Sequence, residues 1–126
     1  MSLVKDFEEL DVYRLAAELQ QEIYELTKRF PNEEKYSLVD QIRRSSRSVG
    51  ANIAEAWAKR RYKAHFISKL SDSDGEQLET RHWLRTAFTC GYLAEAEYQT
   101  LVAKCREIGQ KLGRMMKDAA RWCAHY

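Results

Sequence analysis

The amino-acid sequence predicts an all-α protein: an antiparallel up-and-down four-helix bundle in which residues 1–126 form a single domain. Three observations predict it. Apolar residues recur at alternating steps of three and four over long stretches, the spacing that lines one face of a helix. One proline and five glycines are too few for the many turns of a sandwich or barrel. With 44% hydrophobic and 32% charged residues, a 126-residue chain has material for one core and is too apolar to stay disordered.

The first helix is expected from about Asp11 to Arg29, with Val12, Ala16, Leu19, Ile23, Leu26 and Phe30 along one face. Asp11 reads as its N-cap, and Pro31 ends it because the residue before a proline is pushed out of the α region. The second runs from about Asn32 to Lys59 on Leu38, Ile42, Ser46, Val49, Ile53 and Ala56. Glu33 and Glu34 fall in its first turn, where the helix dipole favours acids. Gly50 lies inside it at a cost of about 1 kcal/mol relative to alanine, which predicts a bend or a close helix contact.

The third segment spans about Tyr62 to Cys90. Its ends are apolar, with Phe66, Ile67 and Leu70, then Trp83, Leu84 and Phe88. Residues 71–77, Ser-Asp-Ser-Asp-Gly-Glu-Gln, contain nothing apolar. They read either as a loop or as the middle of one long helix facing solvent, other polar side chains or another subunit. Gly91 is the candidate C-cap. The fourth helix is expected from about Ala94 to the end, carried by Ala94, Tyr98, Leu101, Cys105, Ile108, Leu112, Met115, Ala119, Trp122 and Tyr126. Such a helix would extend roughly 50 Å. That exceeds what shorter partners cover and suggests burial of its far end between subunits. Short connections make neighbouring helices antiparallel.

Several function classes find no support. No apolar run approaches the roughly 18 residues of a membrane span, and residues 1–10 carry no apolar signal core, so a cytoplasmic location is expected. Cys90, Cys105 and Cys123 make no C-x-x-C pair and read as thiols in or near a reduced core. His65, His82 and His125 are scattered; no nucleophile sits beside a matched histidine, and no phosphate loop or H-E-x-x-H occurs. Asp72, Asp74, Glu76 and Glu79 are the densest carboxylates, without the pattern of a calcium loop. The expectation is a protein that is not an enzyme and takes no metal, cofactor or small-molecule substrate.

Charge is distributed unevenly although the net is only +2. Residues 41–65 hold seven bases (Arg43, Arg44, Arg47, Lys59, Arg60, Arg61 and Lys63) against Glu55 alone, whereas residues 1–34 hold nine acids and four bases. Such asymmetry suits head-to-tail contact between copies or an anionic partner. Arg43 and Arg47 share a helix face, with Arg44 about 100° away. The favoured reading pairs these arginines with Asp72, Asp74, Glu76 and Glu79, within or between subunits. The alternative is neutralisation of RNA or DNA phosphates by the whole basic segment. Asn52 and Glu55, with Glu79, are expected to form a structural polar network that fixes helix register; a shared functional site is the rival reading. Tyr13, Tyr24, Tyr36, Tyr62, Trp57 and Trp83 fit helix and subunit contacts better than base stacking.

Particular stretches carry a resemblance. They are Phe30-Pro31-Asn32-Glu33-Glu34-Lys35-Tyr36-Ser37-Leu38, Gln41-Ile42-Arg43-Arg44 and Ser48-Val49-Gly50-Ala51-Asn52-Ile53-Ala54-Glu55, then Phe66-Ile67-Ser68-Lys69-Leu70-Ser71, Glu79-Thr80-Arg81-His82-Trp83-Leu84 and Gly91-Tyr92-Leu93. Over roughly residues 7–115 the chain resembles the bacterial four-helix bundle family of the 23S ribosomal RNA intervening-sequence type, to which the accessory protein of diversity-generating retroelements is similar. The resemblance implies an up-and-down bundle assembling as a homopentamer, a third helix continuous through the polar stretch, and no enzymatic activity. For the retroelement accessory protein it implies a basic ring that binds nucleic acid and a reverse transcriptase. Two positions depart from the family pattern: Gly50 stands where proline is usual and Ala56 where glycine is usual.

Overall fold

The computed structural model describes residues 4–124, and every regular element among them is helical. The α-helices are α1 (Asp11–Thr27), α2 (Leu38–Ala58), α3 (Lys63–Thr89), α4 (Glu95–Lys117) and α5 (Ala119–Cys123), with 3-10 turns at Phe7–Glu9 and Asn32–Glu34. The four long helices pack in ring order: α1 on α2, α2 on α3, α3 on α4 and α4 on α1. This is the four-helix bundle the periodicity predicts.

The apolar seam of α1 is buried at every expected position from Val12 to Phe30. Its start differs from expectation. Leu10 occupies the N-cap, and Asp11 is the first helical residue. Asp6 does the capping instead, one element earlier, where its carboxylate accepts the Phe7 N–H at 2.8 Å. The second helix also begins later than the sequence suggests. Asn32–Glu34 close a separate 3-10 turn, and Ser37 donates its hydroxyl to Glu34 rather than capping α2. Gly50 marks a close approach: a Cβ there would sit 3.4 Å from the Tyr13 ring and 3.8 Å from the Ala16 Cβ.

The polar middle of the third segment is helical. Its seam is Phe66, Leu70, Ser73, Gln77, Thr80, Leu84 and Ala87, all buried and again in steps of four and three. Ser73 Oγ donates to the Val49 carbonyl at 2.8 Å, and the hydroxyls of Ser45 and Thr80 hydrogen-bond at 2.9 Å. Small polar side chains thus continue the inward face because α2 supplies their partners. Gln77 lies over α4, where a Cβ on Gly109 would come within 2.8 Å of its Nε2. Its Nε2 donates to Asp74 at 2.9 Å, and its Oε1 is buried without a partner. The helix ends in a Schellman motif. Gly91 has φ +80°, its N–H donates to Phe88, and the Tyr92 N–H reaches Ala87.

The expected 50 Å fourth helix is not formed. It breaks at Asp118 (φ −93°, ψ 19°), and the short α5 packs against α3. Ala119 is buried, and Trp122 meets Trp57 edge to face at 6.3 Å. The chain therefore covers part of this end with its own short helix, Trp122 and Cys123 staying half-buried. Tyr126 and His125 lie outside the described residues. Of the cysteines, Cys105 is in the core, Cys123 is half-buried, and Cys90, at the C-cap of α3, is exposed rather than in the core.

Candidate functional site: the charged flanks of the bundle

The basic segment is split by the fold. Arg43, Arg44 and Arg47 sit in the first half of α2. Lys59, Arg60 and Arg61 lie in the α2–α3 turn and Lys63 opens α3, roughly 24 Å along the helix from Arg43 at 1.5 Å per residue. Arg43 is half-buried and tied to α1: its Nε donates to Thr27 Oγ1 at 2.8 Å, and its guanidinium lies 4.8 Å from the centre of the Tyr24 ring. Arg47 lies 5.7 Å from the same ring. Arg44 meets Glu79 at 2.9 Å and Gln41 at 3.0 Å. At the other end Arg60 lies 3.4 Å from the centre of the Trp57 ring, and its Nε donates to the Trp57 carbonyl. Tyr62 is 57% exposed beside His65.

Antiparallel register decides which acids these bases meet. Turn by turn along α2 the partners on α3 run backwards: Arg44 and Ser45 face Glu79 and Thr80, the Val49 carbonyl faces Ser73, and Glu55 faces Lys69. Pairing of the arginines with α3 acids is thus realised for Arg44 and Glu79. Arg43 and Arg47 take Tyr24 instead of Asp72, Asp74 or Glu76; Asp72 goes to Lys69, and Asp74 to Gln77. The same register separates the expected polar network. The Asn52 amide donates to the Ser48 carbonyl of its own helix, Glu55 pairs with Lys69 at 3.2 Å, and Glu79 accepts from Arg44 and Trp83. Asn52, Glu55 and Glu79 do not meet, and the polar layer that links α2 to α3 is Ser45, Thr80 and Ser73 instead.

Two further charged surfaces flank α4. Between α1 and α4 the carboxylates of Glu18, Glu22, Glu25 and Glu97 gather. Lys104 bridges Glu22 at 2.6 Å and Glu18 at 3.4 Å. Burial pulls the Lys104 ammonium down, the two carboxylates outweigh it, and the net shift is upward. Hydrogen bonds from Arg29 and from the Ala94 N–H hold the Glu97 carboxyl below its ordinary range. Between α3 and α4 lies a groove of about 300 Å³ bounded by Arg81, Arg85 and Arg106 over Leu78, Tyr98 and Val102. Among the described residues these three arginines make no ion pair or hydrogen bond, and Leu78 is 49% exposed. Arg81 and Arg85 stand one helical turn apart in the sequence, a visible signal. Nothing in the sequence brings Arg106 to them; only the packing of α4 does.

The described residues contain no group of histidine, cysteine and acidic side chains placed to hold a metal ion, and no helix is long and apolar enough to cross a membrane.

Fold and surface together define a class: an all-helical up-and-down bundle whose distinguishing features are charged flanks. Residues 8–114 match the family model described as "23S rRNA-intervening sequence protein", and the chain belongs to that family. Among solved structures it is similar to a protein of unknown function of the S23 ribosomal protein family from Bacteroides thetaiotaomicron. The two are 33% identical, the match covers 84% of this chain and 95% of that one, and the TM-score is 0.76. No curated protein matches the chain.

Proposed function

We propose that this protein is a non-enzymatic scaffold of the cytoplasm that works by assembling with copies of itself, as a pentamer if it follows the family resemblance. The observation that carries this reading is the segregation of surface charge. Carboxylates line the α1–α4 flank, and guanidinium groups line the α3–α4 groove and the outer side of α2. A closed ring needs two different faces that complement each other, and opposite charges provide them. Light scattering at micromolar concentration and low salt is expected to report a discrete oligomer that loosens as salt rises, because exposed pairs are screened. A clean monomer under those conditions sinks the proposal.

A second reading is supported by one feature of α2. Lys35, Arg43, Arg44 and Arg47 surround a shallow open groove beside Tyr36, a residue that is 86% exposed. Bases that can meet backbone phosphates beside an exposed tyrosine, over whose ring Lys35 lies at 5.3 Å, suit single-stranded RNA or DNA. Titration of labelled structured RNA and duplex DNA at low and moderate salt tests it. Absence of binding at low salt removes it.

A further inference from the structure

The arginines most evident in the sequence are already occupied, whereas those of the α3–α4 groove are not. Arg43 and Arg47 rest on Tyr24, and Arg44 is paired with Glu79. Arg81, Arg85 and Arg106 surround a half-exposed leucine with no carboxylate between them. Three cations gathered without a partner repel one another and leave Leu78 in water, so an anionic surface with some apolar stem is the complement they call for.

The same chain offers such a surface. Glu18, Glu22 and Glu25 stand in a row on the outer side of α1, spaced by four and three, and span about 10 Å. Leu78, Arg81 and Arg85 stand in a row of the same length on α3. Lys104 occupies only some of the acceptor sites of its two carboxylates, since an ionised carboxylate has about four. Both rows lie beside the same stretch of α4, residues 97–106, on either side of it. In an up-and-down bundle α1 and α3 run in the same direction, so copies related by rotation about an axis along the helices bring the two rows together parallel and level. Because the two faces differ and sit on neighbouring sides of the bundle, each contact turns the next copy, as a closed ring requires.

We propose that the Glu18–Glu22–Glu25 row of one copy docks into the Arg81–Arg85–Arg106 groove of the next and covers Leu78. This rests on the self-assembly reading, and it names the two surfaces that reading needs. The test uses the full chain with two single substitutions that face each other in this alignment, Arg85→Glu and Glu25→Arg, both at exposed positions. Circular dichroism and thermal melts first establish that each variant keeps its helicity. Each is then expected to dissociate at protein concentrations at least about tenfold above those at which the wild type does, because like charges now face each other. Combining both substitutions in one chain is expected to restore assembly, since every interface of the ring then gains a reversed pair. If wild-type protein is monomeric, the self-assembly reading falls and this proposal with it. If wild-type protein is oligomeric and both folded variants keep its mass, this proposal alone is overturned. Dissociation that the double variant does not repair also overturns it, because the two rows would then not be each other's partners.

Discussion

Glu97 connects the chain to itself twice. Its carboxylate accepts from Arg29 beyond α1 and from the Ala94 N–H at the start of its own helix. This is half of a capping box, because the alanine at the cap has no oxygen to return the bond. A carboxyl whose folded pKa is depressed stabilises the protein above its unfolded value and loses that contribution as pH falls through the folded one. Glu97→Gln is therefore expected to lower the melting temperature at neutral pH, and the difference from wild type is expected to shrink as pH drops below 4.5. A melting series from pH 7 to pH 3 checks both parts. The cysteines provide a second residue-level outcome. Burial pushes the Cys105 thiol up to about 12, whereas Cys90 is exposed. Thiolate is the reactive form. A thiol reagent at pH 8 is expected to modify Cys90 in the native protein and Cys105 only after unfolding, as read by mass spectrometry of digests.

At the scale of the helix, α3 shows how a seam can be present and still escape a hydrophobicity reading. Ser73, Gln77 and Thr80 keep the spacing of Leu70 and Leu84 but not their chemistry. What makes them core residues is their partners on α2 and α4, which lie far away in sequence. Gln77 also carries an unsatisfied buried oxygen, which costs stability. Replacement by leucine, of similar size, is expected to raise unfolding stability by about 1 kcal/mol in denaturant titrations. The end of α3 gives the opposite sign. Gly91 adopts φ +80°, a conformation that strains any side chain. Gly91→Ala is expected to cost about 1–2 kcal/mol by the same measurement, without a clash, because nothing lies within 4 Å of the added Cβ.

For the molecule as a whole, repeated apolar spacing in the sequence was sufficient for the class of fold, the number of long helices and most of the core. Val12 to Phe30, Leu38 to Ala56 and Leu101 to Met115 are buried as their periodicity requires, because a stripe of apolar side chains has only one way to leave water. Element ends were less legible: capping depends on local dihedrals, which put Leu10 rather than Asp11 at the cap of α1 and ended the fourth helix at Asp118. The candidate surface was legible only as composition. The count of bases between residues 41 and 65 was plain, but register placed Arg44 against Glu79, set Asn52, Glu55 and Glu79 apart, and sent Lys59 to Lys63 to the far end of the bundle. Periodicity is a property of one helix, and a linear chain displays it. Which charges face each other, and that Arg106 joins Arg81 and Arg85 around Leu78, depends on how helices slide past one another, and that was decided only when the core had packed.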